Sequence, residues 1–362
     1  MSIRETSGFG ALVFSILLSQ CHGKSRDGRE SKEEPRLGSS VATAAPGEDA
    51  PLSRARELIA VEQRRDSAKI VDSDFSSRNV IVRRRAARAL ARIADARSWD
   101  LLRRLLSDED ETTVAWSAYG LGYTCQGHEL ETVKLLVARA ASLTGVPGRS
   151  SAEPHPAALE SVEPMFAIAD ALGRCGGSQA ERTLVACLSR PSDRAEDAAL
   201  ALGRLAFKQG RLSDSSVGAL LDAASRPAPV QNALYPFGWT GSLSRAAQAR
   251  LLSVATEALK TAGEQRAYAV RALGRTGSKA AAVLGRVMTE AGFSAAERAD
   301  AIRALSHLKG DGDAQQALRA LLDKLAPSLL SDPSRMSQDF GLLSALLEAL
   351  EPPVSGARAT LT

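Results

Sequence analysis

Small and apolar positions recur in this chain first with the period of a helix and then with the period of a larger unit. The shortest form of the signal is a tetrapeptide of small residue, Leu, small residue and a fourth, usually cationic, position. It occurs at Ala89-Leu90-Ala91-Arg92, Gly120-Leu121-Gly122-Tyr123, Ala171-Leu172-Gly173-Arg174, Ala201-Leu202-Gly203-Arg204, Ala272-Leu273-Gly274-Arg275 and Ala304-Leu305-Ser306-His307. A degenerate copy stands at Ala233-Leu234-Tyr235-Pro236, and a further one surrounds Leu346. From Leu90 to Leu305 the central leucines are 31, 51, 30, 32, 39 and 32 residues apart. A fixed period of this size is the mark of a repeat architecture. Upstream of each leucine, apolar or small residues lie three and four positions back, as with Ala86 and Ala87 before Leu90 or Ala198 and Ala199 before Leu202. That spacing is the buried stripe of an α-helix. Glycines follow most of these helices, at Gly127, Gly176, Gly210, Gly277 and Gly310, where a helix end favours the left-handed conformation.

Leu-rich helical patterns alternate with these segments, at Trp99–Leu106, Leu130–Ala141, Ala180–Leu188, Val217–Ala224, Ala246–Leu259 and Gln315–Leu325. Each repeat therefore reads as two antiparallel helices joined by a short polar turn. The acidic turn Ser107–Thr112 precedes a helix and suits capping and dipole complementation. The residues flanking each core leucine are small enough to let neighbouring helix backbones approach unusually closely. This pattern resembles the HEAT repeat family, in the short HEAT-like form whose second helix carries an "ALG" core. The resemblance spans roughly residues 53–350 and implies an all-α fold: an α-solenoid of about 7–8 helical-hairpin repeats, with weak units at 53–75 and 327–350 acting as caps.

The first residues are of another kind. Phe9 to Leu18 is an apolar run of signal-peptide size, too short to span a bilayer. Leu18-Ser19-Gln20-Cys21 resembles a bacterial lipoprotein cleavage box, which implies lipidation at Cys21. Gln20 departs from the small residue usual before the cysteine. Residues 22–52 are polar and rich in Gly, Ser and Pro, the composition of a flexible tether. The expected organisation is a signal peptide with lipoprotein box at 1–21, a tether at 22–52, the solenoid at 53–350 and a disordered tail at 351–362. This layout is similar to exported bacterial HEAT proteins whose repeats precede a cyclophilin-type isomerase domain. No such domain is expected here, so isomerase activity is not carried over. The localisation implied is exported, periplasmic or membrane-anchored, with a cytoplasmic location as the alternative.

Composition sharpens this only slightly. Of the 362 residues 44% are hydrophobic and only 4% aromatic, which favours close helix packing over a strand-rich core. A net charge of +4 is too small to argue for nucleic acid. Four cysteines exclude a disulfide-dense scaffold.

The second helices of such solenoids usually line the concave wall, so the fourth tetrapeptide position forms a column: Arg92, Tyr123, Arg174, Arg204, Pro236, Arg275 and His307. Its arginines and histidine either recognise carboxylate or phosphate groups, or pair with acids of their own repeats and cover apolar surface with their stems. The stretch Arg78 to Arg104 holds nine arginines against Asp95 and Asp100. Trp116, Tyr119 and Tyr123 form a stripe on one helix, separate from the Val114, Ala118, Leu121, Cys125 stripe. It serves either as core filling or as a protein-binding hot spot. Pro236, within Tyr235-Pro236-Phe237-Gly238-Trp239, breaks its helix, leaving a kink or a ligand notch. Thr144 to Leu159, rich in Gly and Pro, is the insertion behind the interval of 51. Cys125 and Cys175 fall on consecutive second helices and form either a disulfide or two buried thiols.

Motifs for metal ligation, nucleotide binding and nucleophilic catalysis are missing from the sequence, and no metal or cofactor is implied. The expected function is a non-catalytic scaffold of the bacterial cell envelope. It would act as a monomer binding a protein or peptide on its concave face, touching the membrane only through the lipid anchor, without nucleic acid. The alternative is a HEAT region of, or accessory to, an enzyme such as a peptidyl-prolyl isomerase or a lyase-like HEAT protein.

Overall fold

A computed structural model describes residues 49–144, 163–189, 192–308, 312–331, 341–342 and 344–350. The chain divides into two units, Met1–Pro46 and Gly47–Thr362; the first lies outside the described residues. So do the leader with Cys21, nearly all of the tether, the insertion after Thr144, Gly310 and the tail 351–362.

The second unit is an all-α HEAT-like solenoid, without a strand among the described residues. Its helices form two layers. One contains α1 (Asp49–Arg64), α3 (Val80–Ile93), α5 (Glu111–Thr124), α7 (Pro164–Cys175), α9 (Ser192–Gln209), a 3-10 segment at Gln231–Gly238, α12 (Glu264–Leu273) and α14 (Ala295–Ser306). Each of these packs on the next in that order. The short α2 (Asp72–Phe75) leans on α3. The other layer contains α4 (Ser98–Leu105), α6 (Glu129–Thr144), α8 (Ser178–Cys187), α10 (Asp214–Ala224), α11 (Arg245–Ala258), α13 (Ala281–Thr289) and α15 (Gly312–Ser331). Every tetrapeptide leucine from Leu90 to Leu305 is buried in the first-named layer, and Leu346 is buried too.

The small residues beside those leucines set the joints between repeats. A Cβ on Gly120 would lie 2.8 Å from the Cα of Ala91, and one on Gly122 2.9 Å from the Cα of Ala171. On Gly274 it would lie 3.0 Å from the Cα of Ala304. The residue after one leucine thus meets the residue before the next leucine, backbone against backbone. This is the close approach the small positions predict, and at Gly120 and Gly122 it leaves no room even for a Cβ. At Gly203 the partner changes: the Tyr235 ring takes the space, because the 3-10 segment containing Pro236 has replaced the helix that would sit there.

The boundaries differ from expectation in three places. Asp49–Leu52, assigned to the tether, begin α1, and α1 joins the second-helix layer directly. Pro327, taken as the start of a terminal cap, lies inside α15. The helix α13 was not singled out, although its Ala281, Leu284, Val287 and Met288 are all buried. Helix ends follow sequence closely: Gly127, Gly176, Gly210 and Gly277 all have positive φ, of 70° to 86°. Asp110, Ser213, Ser244 and Ser294 cap their helices by accepting backbone N–H bonds. Among the described residues no helix is long and apolar enough to cross a membrane.

Candidate functional site

The exposed side of the second-helix layer gathers the chain's rare aromatics. Trp116 and Tyr119 on α5 are half-buried against the core, and Tyr123 is 45% exposed. Trp116 meets Tyr119 edge to face at 5.8 Å, and the Tyr119 and Tyr123 rings lie 4.8 Å apart with their hydroxyls 3.3 Å apart. Burial first, then the hydrogen bond to Tyr123, pushes the Tyr119 hydroxyl up to about 12, so it stays protonated at physiological pH. The Arg88 guanidinium lies 5.6 Å from the Trp116 ring, and that of Arg174 4.1 Å from the Tyr123 ring. The stripe is therefore an aromatic ridge flanked by cations, not core filling alone.

The column residues share one habit: each arginine reaches back toward the preceding element. Arg92 binds Glu62 of α1 at 2.7 Å. Arg174 stacks on Tyr123 of α5 and also binds Asp170 of its own helix at 2.9 Å. Arg204 pairs with the same Asp170, whose side chain is 5% exposed. Arg275 donates to the Gly238 carbonyl at 3.1 Å. Three of the four are thus paired with carboxylates of the chain itself, Asp170 serving two of them. His307 caps the end of α14 and is engaged with its surroundings.

Farther along the layer Phe207 is 70% exposed and meets Trp239 edge to face at 5.1 Å. Tyr235 stands between Trp239, at 6.3 Å, and Tyr268 of α12, at 5.3 Å. All four tyrosines and two of the three tryptophans of the chain consequently lie in, or directly after, elements of the second-helix layer that contains α5 and α12. Phe207 and Tyr268 were not found by sequence reasoning. The signal was available, since each occupies a helical position three or four residues from an arginine of the same face, Arg204 and Arg271.

Elsewhere, acids join successive repeats. Asp108 holds Arg83 at 2.9 Å, both side chains at most 10% exposed, while Asp110 caps α5 and binds Arg84. This is the capping role expected of the acidic turn, with an added bridge to α3 that spacing could not reveal. Hydrogen bonding to Asp108 comes first among the reasons Arg83 is raised above its ordinary value. Glu297 closes a capping box with Ser294 and binds Arg266 at 2.5 Å. Glu181 accepts from the Ser213 amide and the Ser216 hydroxyl of the next repeat. Cys125 and Cys175 are joined as a disulfide between α5 and α7, with Cα atoms 5.9 Å apart. Among the described residues no group of three or more His, Cys, Asp or Glu converges as a metal site would require.

The architecture on the page is a repeated stack of helical hairpins, and that is the class the chain falls into. Residues 73–150 match the family model for HEAT repeats, which supports a HEAT-repeat reading of the chain. No curated protein matches its sequence. Among solved structures, the complex of CpcE and CpcF of phycocyanin lyase from Nostoc sp. PCC7120 is similar at 19% identity and a TM-score of 0.39. That match covers 70% of this chain and 94% of the other. Human deoxyhypusine hydroxylase in complex with glycerol is similar at 17% identity and a TM-score of 0.28, covering 86% and 97%.

Proposed function

We propose that this protein is a non-catalytic scaffold of the bacterial cell envelope that binds a protein or peptide through the exposed face of its second-helix layer. One observation carries the reading. In a chain with 4% aromatics, every tyrosine and two of three tryptophans collect on that layer, and arginines flank them. Tyr, Trp and Arg are the residues that anchor protein interfaces. HEAT repeats generally mediate protein interactions, which supports the same reading. The centre of the surface is Trp116, Tyr119, Tyr123 and Arg174, with Arg92, Arg204, Arg275 and His307 along the column. The leader-like run Phe9–Leu18 and the box ending at Cys21 support export and a lipid anchor.

Affinity purification of the tagged chain from solubilised envelopes tests the scaffold. The Trp116→Ala/Tyr123→Ala double variant should lose the proteins that the wild type retains. Identical retained sets for a folded variant would overturn the reading. Mass spectrometry of the mature first residue tests export: a lipid-modified Cys21 is expected, and intact Met1 on cytosolic protein would end it.

A further inference from the structure

The column arginines are not equivalent. Arg92, Arg174 and Arg204 each have a carboxylate of this chain at hand, Glu62 for the first and Asp170 for the other two. Arg275 has none: among the described residues its hydrogen-bond partner is the neutral carbonyl of Gly238, and its Nε atom is buried without a partner. Its neighbour Arg271 is served by Asp300, which also binds Arg303. Burial alone accounts for the lowering of Arg275 below the ordinary guanidinium value, with no acid near enough to oppose it. A half-desolvated cation without a counter-ion is costly to keep.

Its surroundings are equally unusual. The carbonyl it grips is one peptide unit from Trp239, which is 40% exposed and packs on the 70% exposed Phe207. Tyr235 and Tyr268 extend the same cluster. This is also the place where the repeat loses its helix to a 3-10 segment, directly after which Trp239 stands exposed.

We infer that the notch formed by Phe207, Tyr235, Trp239, Tyr268 and Arg275 is a second docking subsite, and that it takes a partner peptide segment in which a side-chain carboxylate is flanked by aromatic or aliphatic residues. The apolar flanks cover Phe207 and Trp239, and the carboxylate supplies the charge that this chain gives the other column arginines from within. The inference rests on the protein-binding reading and adds the chemistry of one part of the surface.

The test is selection of short random peptides displayed on phage against the full chain, followed by titration of synthetic copies of the enriched peptides. Enriched sequences should place Asp or Glu beside Phe, Trp, Leu or Ile. Replacing that acid by Asn or Gln should weaken binding roughly tenfold or more, the scale of a hot-spot contact. Arg275→Gln keeps an N–H donor for the Gly238 carbonyl while removing the charge, and should produce the same loss. Phe207→Ala, at an exposed position that folding does not need, should weaken the same peptides, whereas Tyr123→Ala should leave them unchanged. Peptides that depend on Tyr123 and ignore Arg275 would overturn this subsite and leave the wider reading standing. A selection that enriches nothing would overturn both.

Discussion

The two helix layers use the same residue types for opposite ends. In the layer of α5, α7, α12 and α14, glycine is a contact: Gly122 and Gly274 touch the backbone of the next repeat. In the other layer Gly218 of α10 and Gly285 of α13 face open space, with nothing within 4 Å of an added Cβ. The first layer joins repeats by removing side chains, and so leaves its outer side free to carry large aromatics. The second layer has no such constraint at these glycines. Geometry and recognition are therefore concentrated in one layer, and the other completes the core.

The comparison can be broken most severely at the α5–α7 joint. Cys125→Ala removes a crosslink spanning 50 residues, and chain entropy sets the loss at about 4 kcal/mol, read as a lower urea midpoint of unfolding under oxidising conditions. Arg83→Ala leaves the buried Asp108 carboxylate without its cation and should cost about 3 kcal/mol by the same measurement. Gly122→Val should cost about 2 kcal/mol by forcing α5 and α7 apart. An unchanged midpoint would show that the joint is not set by backbone contact.

The acids at the helix N-termini give the fold a pH dependence. Burial pushes Glu181 and Glu297 up, but hydrogen bonds from Ser216 and Ser213, and from Arg266 and Ser294, together hold both below the ordinary glutamate value of 4.5. Burial also raises Asp110, which the Arg84 and Thr113 bonds then bring below 3.8. A carboxyl depressed in the folded state binds its proton more readily when unfolded. Its stability is therefore complete above the unfolded value and is lost as pH falls toward the folded one. The unfolding midpoint should fall as pH drops below about 4.5, and Glu181→Gln should flatten that slope. The smallest effect sharpens the contrast with the opposite sign: Gly218→Ala, in mid-helix with free space, should stabilise by about 0.7 kcal/mol, seen as a raised thermal midpoint.

The layered plan was legible because each repeat writes its joint into three adjacent residues. Leu90, Leu121, Leu172, Leu202, Leu273 and Leu305 fell where the tetrapeptide put them. The candidate surface was legible only in part. Periodicity placed Tyr123, Arg174 and Arg275 in one column, since a shared register is a property of sequence. It could not say that Asp170 would sit between Arg174 and Arg204, because that depends on where α7 and α9 cross. Nor could it say that Arg275 would go without an acid. Trp239 and Phe207 came together because Pro236 forces a 3-10 segment at Gln231–Gly238. The proline was visible, but where its distortion carried the neighbouring rings was not.

The covalent link between α5 and α7 also changes what damage means for this chain. Any single cut by a protease between residues 126 and 174 falls inside the closed loop, so the two pieces stay tied together and run apart on a gel only after a reductant is added. A molecule in an oxidising, protease-bearing setting would keep both halves of its stack in hand after such a nick.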